Sequence, residues 1–418
     1  MDTVRRLRHE GFESLWAGGC VRDQVLGKSP KDYDIATTAK PDDVIRIFGR
    51  RRTVAVGASF GVVMVLGPDK SAGQIEVATF RSDGAYLDGR RPSSVMFCRP
   101  EEDAKRRDFT INGMFFDPIE ETLIDYVGGR DDLALGIVRA IGDPVARFTE
   151  DKLRMLRAVR FTATFGFALD AATADAVYRL RQQFNQVSAE RISHELKRML
   201  SHETREHSFR LLIQTGLLPE VLPELYRDEH RDADEAGLNF IRQALHHLKS
   251  DQFEPALVLI LQSLRQPGAG RKATAAVESV CRRLKLSNEE TDSVRWLAES
   301  LPVLDDIRSR PLHTRKPLLA HPQIELLLQV SLAIAAAENR PATDVEFCRL
   351  YVSTLRGDEL RPPPLVDGQD LKALNVPQGP AFRILLSTIR DEQLDEILTT
   401  RTAALERLRD LVNASPVG

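Results

Sequence analysis

Two textures divide this chain, and the division limits the architectures open to it. Up to about residue 140, short apolar stretches alternate with turn residues. VAVGASFGVVMVL (54–66) reads as two strands around a turn at Gly57 to Gly61. QIEVATF (74–80), SVMFC (94–98), NGMFFD (112–117) and TLIDYV (122–127) read as further strands, and a helix lies between Asp42 and Phe48. From about Phe148 the apolar residues fall at helical spacing, beginning with Leu153, Leu156, Val159 and Phe161. AERISHELKRML (189–200), SFRLLIQTGLL (208–218), LNFIRQALHHL (238–248), ALVLILQSL (256–264) and IELLLQVSLAIAAA (324–337) continue the pattern. The expected fold class is therefore α+β, a mixed-sheet head followed by an all-helical body. Pro- and Gly-containing stretches near 265–271, 309–322 and 361–380 are candidate boundaries.

A chain of 418 residues is too long for one compact core, so two to four domains are expected. No apolar run has the length of a bilayer span, and the N-terminal MDTVRRLRHEGFESLW has no apolar signal core. A cytoplasmic location without membrane contact is the expectation. Cys20, Cys98, Cys281 and Cys348 are too scattered for a zinc spacing or a disulfide framework. The net charge of −3 excludes an overall basic coat, but Arg50–Arg52, Arg90–Arg91, Lys105–Arg107 and Arg154, Arg157 and Arg160 are local basic clusters. Nucleic-acid binding follows local charge rather than the total.

The chemistry concentrates in GGCVRDQVLGKSPKDYD, residues 18–34. Gly18 and Gly19 open a turn able to cradle phosphate, and Arg22 and Asp23 follow. Asp32 and Asp34 flank one residue before Ile35, so on an extended strand both carboxylates project from one face. Like charges that close call for cations, and magnesium suits carboxylates beside nucleotide phosphates. Glu76 lies between Ile75 and Val77 on an apolar strand and faces away from them, which makes it a third carboxylate for a two-metal site. In KRRDFTING (105–113), Arg106 and Arg107 suit a triphosphate, with Asp108 and Asn112 as hydrogen-bonding groups. In DYVGGRDDL, Gly128 and Gly129 mark a tight turn and Asp132 is a candidate cap. On one helix, Asp151 and Arg154 would share a face, with Arg157 a turn further. Arg donates to a ring acceptor and Asp accepts from an exocyclic amine, a pair that suits cytosine and adenine and rejects guanine and uracil.

In that order, GGCVRD, DYD, IEVATF, RRDFTINGM, DYVGGRDDL with IVRAIGDP, EDKLRMLRAVRF and VSAERISHEL resemble the bacterial-type (class II) CCA-adding tRNA nucleotidyltransferases and the related bacterial poly(A) polymerases. The resemblance covers roughly the first half of the chain. It implies a polymerase-beta-like nucleotidyltransferase head at 1–145 and a helical neck at 146–205 that carries the base-selecting residues. An RNA-binding helical body at 206–310 and a helical tail at 311–418 that contacts the tRNA elbow complete the implied order. Asp32, Asp34 and Glu76 would hold two Mg²⁺ ions. Gly18, Gly19, Arg22, Asp23, Arg106, Arg107, Asp108 and Asn112 would bind the nucleotide's phosphates and ribose. Asp151 and Arg154, supported by Arg157, would select the base. Gly113 stands where the family often has alanine.

The implied partners are tRNA, CTP and ATP, with no obligatory protein partner. RSDGAYLDGRRPSSVMF (81–97), with Arg81 and Asp83, resembles a full flexible loop of the kind that switches the site from CTP to ATP. Complete CCA addition is the favoured expectation. An A-adding specialist, a poly(A) polymerase and, from another class, a non-catalytic tRNA-binding protein stay as alternatives.

Overall fold

The computed structural model describes residues 1–57, 60–67, 73–84, 94–226, 235–262, 271–355 and 357–414. Most of the loop expected at 81–97 (with Arg90 and Arg91), the turn residues 58–59 and most of 265–271 lie outside the described residues. The chain forms two compact units, Met1–Asp232 and Ala233–Gly418.

The first unit is built on a seven-stranded sheet. Its strands are β1 (Ser14–Ala17), β2 (Asp34–Thr37), β3 (Thr53–Gly57), β4 (Val62–Leu66), β5 (Gln74–Thr79), β8 (Phe115–Asp117) and β9 (Thr122–Ile124), in the order β3-β4-β5-β2-β1-β8-β9. Only β2 and β5 run parallel; the other neighbours are antiparallel. A separate hairpin pairs β6 (Arg81–Asp83) with β7 (Val95–Phe97).

Alternation along the strands gives the sheet two apolar faces. Ile35, Val63, Val65 and Val77 pack with Val4 and Leu7 of α1 (Asp2–His9) and with Val44, Ile47 and Phe48 of α3 (Pro41–Phe48). On the opposite face Leu15, Ala17, Ala36, Phe80 and Phe115 pack with Ala104 of α4 (Pro100–Lys105). Asp34 precedes Ala36 by two residues and so shares that second face, as does Glu76, its register partner on β5.

Between the sheet's first two strands runs α2 (Gly19–Val25), and after β9 comes α5 (Gly129–Leu135). The helices α6 (Pro144–Glu150) and α7 (Leu153–Phe165) follow, flanked by the short parallel pair β10 (Ile137–Val138) and β11 (Ala168–Leu169). Asp143 starts α6 by accepting from the amides of Val145 and Ala146, with Pro144 at the first helical position. Almost the whole surface of α7 is buried, Arg154 and Arg160 included. The unit closes with α8 (Ala171–Leu180), α9 (Ala189–Leu200), α10 (Arg205–Gln214) and α11 (Leu218–Val221).

The second unit is helical throughout its described residues, from α12 (Glu235–His247) to α22 (Arg401–Ala414). Its centre is α13 (Phe253–Leu261), apolar at every position but Glu254 and buried at every other, as a helix enclosed on nearly all sides must be. Among the described residues, no single helix is long and apolar enough to cross a membrane.

Candidate functional site

The expected site residues, Glu76 apart, line one cleft of about 930 Å³ in the first unit. Eleven Arg and Lys against six Asp line it, so the cleft favours a polyanion although the whole chain is slightly acidic.

The acidic corner comes from the sheet. β2 begins at Asp34, and Asp32 lies in the bend before it, so the two do not share one strand as their spacing predicted. Residues 28–30 are irregular, and a bend at Lys31-Asp32 comes before the strand. Asp34 and Glu76 are register partners on parallel strands. Burial raises the Asp34 carboxyl above the usual range, Arg107 opposes the rise, and Asp32 adds to it. Burial also raises Glu76, the charge of Asp34 adds to that rise, and Arg81 opposes it. Crowded oxygen ligands held against mutual repulsion suit a hard divalent cation. Among the described residues no three such ligands already close into a coordination set. The donor chemistry thus fits magnesium through Asp34, with Asp32 and Glu76 alongside.

The glycine turn serves a close approach. Gly18 has φ +73°, and a Cβ on it would stand 3.1 Å from Nη1 of Arg107. Arg107 is held by Asp103, whose Oδ2 accepts from Nε (3.2 Å) and Nη2 (3.0 Å), and its Nη1 donates to the Asn112 carbonyl at 3.4 Å. Asp103 also takes Arg106 Nε at 2.8 Å through its other oxygen. One buried carboxylate therefore aims both Arg106 and Arg107. Arg22 donates to Asp23 (2.9 and 2.7 Å) and to Oδ1 of Asn112 (2.6 Å), with its guanidinium 4.5 Å from the centre of the Phe165 ring. At the base of the loop, Arg81 Nε pairs with Asp83 at 3.1 Å, and Arg106 Nη1 lies 3.7 Å from the same carboxylate.

Asp108 is fixed more tightly. It accepts from the Phe109 amide (2.8 Å), Asn112 Nδ2 (3.1 Å) and both Nε and Nη2 of Arg157 (2.9 and 2.6 Å). Burial disfavours its charge, but Arg157 and these donors prevail and bring its pKa down to about 2. Arg157 and Arg160 share Glu195 of α9, at 3.5 and 2.5 Å.

The Asp151–Arg154 pair differs from expectation. Asp151 is not on a helix with Arg154. It sits in the break between α6 and α7 with φ −146° and ψ 104°. Its carboxylate accepts from the Leu153 amide at 3.1 Å, and this local bond starts a new helix at Leu153 where the three-residue spacing of Asp151 and Arg154 suggested one shared helix. Its ion partner is Arg191 of α9, in a two-pronged contact of 3.0 and 2.7 Å. Arg154 instead donates to Glu150 (2.7 Å) and to the carbonyls of Arg147 and Arg106, both at 3.1 Å. Asp151 and Arg154 still line the same cleft.

A second expectation fails at Asp132, which caps no helix. It is buried and accepts from Thr110 Oγ1 (2.7 Å) and Arg139 Nε (3.1 Å). Asp125 holds the glycine turn, accepting from the amides of Val127, Gly128 and Arg130. Sequence reasoning also passed over Lys28, Lys31, Arg191, Arg198 and His202 as cleft residues. The ERISHEL segment that carries Arg191 was read as a helix and as part of the family resemblance, but no site role was given to Arg191 itself.

Comparison with known proteins adds independent findings. Residues 15–139 match the family model "Poly A polymerase head domain", and residues 166–228 match "Probable RNA and SrmB- binding site of polymerase A". The chain is 38% identical to the CCA-adding enzyme of Enterococcus faecalis over 302 residues, 71% of this chain and 69% of that protein. It is 40% identical to the CCA-adding enzyme of Bacillus velezensis over 241 residues, 57% of this chain and 59% of the relative, so that match spans under two thirds of the relative's length. Among solved structures, the Bacillus stearothermophilus CCA-adding enzyme in complex with CTP superposes with a TM-score of 0.76 at 28% identity. That superposition covers 99% of this chain and 98% of the other.

Proposed function

The chain belongs to the family of the CCA-adding enzymes, and we propose that it adds C, C and A to the 3′ end of tRNA without a template, using CTP and ATP in the cytoplasm. The observation that carries this reading is the single cleft that contains an acidic corner, a basic phosphate wall and the Asp151–Arg154 neighbourhood together.

The primer's 3′-hydroxyl oxygen attacks the α-phosphorus of the nucleotide and loses its proton, and the bond to the β-phosphate breaks with release of pyrophosphate. Asp32, Asp34 and Glu76 would hold two magnesium ions, which would supply offset of the phosphate charge and a lower proton affinity for the attacking hydroxyl. Arg106 and Arg107, both aimed by Asp103, take the triphosphate beside the Gly18–Gly19 turn. Arg22, Asp23, Asp108 and Asn112 form one hydrogen-bonded set on the ribose side. Arg154 donates to the base's ring acceptor and Asp151 accepts from its exocyclic amine, while Arg157 steadies Asp108. Arg81 and Asp83 anchor the loop that exchanges CTP for ATP.

In the same reading, residues 1–145 are the catalytic head and 146–205 the neck. Residues 206–310 are the RNA-binding body, and 311–418 the tail that meets the tRNA elbow. The test is nucleotide choice. Arg154→Ala should lower discrimination between CTP and UTP by tenfold or more while affecting triphosphate affinity less; unchanged discrimination would refute the base-reading role.

A further inference from the structure

We infer that Arg191 is a positioning residue that sets base selectivity by leaving Asp151 a single acceptor position for the nucleobase. The inference rests on the reading that Asp151 accepts from the base.

An ionised carboxylate offers roughly four lone-pair positions. On Asp151, Oδ1 takes the Leu153 amide at 3.1 Å and Arg191 Nη1 at 3.0 Å, which fills it. Oδ2 takes Arg191 Nη2 at 2.7 Å and keeps one further position. The planar guanidinium fork fixes the carboxylate plane as well as neutralising it, which a point charge does not do. Arg191 stands in the first turn of α9, forty residues from its partner, so the fork reaches Asp151 from a different element. Both side chains line the cleft.

This fixation has a consequence for selectivity. Cytosine and adenine bring an amine donor next to a ring acceptor, whereas uracil and guanine bring a carbonyl next to a ring N–H. A carboxylate free to rotate can turn either oxygen toward that ring N–H and so accept the wrong bases. A carboxylate pinned by Arg191 offers one lone pair in one place and meets the carbonyl of uracil or guanine with repulsion. Arg154 is held independently, by Glu150 and two backbone carbonyls, so the donor half of the pair does not depend on Arg191.

The experiment measures kcat/KM for CTP and UTP on tRNA lacking CCA, for wild type, Arg191→Ala, Arg191→Lys, Asp151→Ala and the Ala/Ala double variant. Unfolding midpoints are measured alongside. We expect Arg191→Ala to lower the CTP:UTP ratio by about tenfold or more, Arg191→Lys to fall between, and Arg191→Ala to change the ratio no further once Asp151 is alanine. An equal loss for CTP and UTP, the signature of a phosphate ligand, would overturn the inference. So would a wild-type ratio in Arg191→Lys, the variant that also decides the matter if the alanine protein does not fold. A ratio unchanged by Asp151→Ala alone would instead remove the base-reading role of Asp151, and this inference with it.

Discussion

Asp34 on β2 and Glu76 on β5 are register partners on the only parallel pair of the main sheet. Both carboxyls are pushed up by burial, and Asp34 pushes Glu76 further. The fold thus holds two carboxylates where their ionisation is unfavourable, which is the arrangement a cation-dependent site needs and a merely structural one avoids.

The sign of that cost is testable. A carboxyl raised in the folded state prefers its proton there, so stability falls as pH rises through the raised range. Asp34→Asn should therefore raise the unfolding temperature of the metal-free protein at neutral pH while abolishing nucleotide incorporation. Magnesium should raise the wild-type midpoint more at pH 8 than at pH 5, and raise that of the variant little. A destabilised variant, or one that retains full activity, would refute the assignment.

Asp108 has the opposite sign. Its pKa is lowered from 3.8 to about 2, with Arg157 overcoming the penalty of burial. The stability it contributes is present above the ordinary Asp value and is lost as pH falls toward about 2. The shift corresponds to ~2 kcal/mol at neutral pH. Asp108→Asn should cost about that much in urea unfolding at pH 7, and the difference from wild type should shrink between pH 4 and pH 2.

Glu195 is 2% exposed and is shared by Arg157 and Arg160. Glu195→Ala removes the counter-charge of the buried Arg160, whereas Arg157 loses only its longer contact and keeps Asp108. A loss of about 3–5 kcal/mol is expected by denaturant titration, since breaking a buried pair leaves an uncompensated charge. A loss below about 1 kcal/mol would mean that Arg160 finds another partner.

Gly129 opens α5 with its Cα against the Thr110 carbonyl; a Cβ there would lie 2.2 Å from that oxygen. Gly129→Ala should lower stability by ~2 kcal/mol or more and reduce soluble yield, because backbone rather than a flexible side chain is in the way.

Much of this architecture is legible in the residues. The helices read at 189–200 and 324–337 are those observed, and the strand pattern around Glu76 places it beside the Asp32–Asp34 motif. The break at Asp151 was hidden because Asp151 and Arg154 lie three residues apart, the spacing of one helix face. The deciding bond, from the Leu153 amide to the Asp151 side chain, is the kind of local capping that an Asp before an apolar run signals. The four-residue strand β1, SLWA, was too short to read by alternation. The contacts of Arg191 with Asp151 and of Glu195 with Arg157 and Arg160 join residues 35 to 40 apart, a separation that helical spacing cannot address. Only the folded chain brings α9 against the cleft.

The central claim is tested most directly by following nucleotide incorporation at single-nucleotide resolution. Purified protein with magnesium would be given tRNAs ending before CCA, after C and after CC, with CTP alone, ATP alone or both. Growth of each tRNA to CCA and no further, with both nucleotides needed for the shortest substrate, is the predicted result. A single A added only to the CC-ending tRNA, a long ladder of A, or no incorporation at all would contradict it.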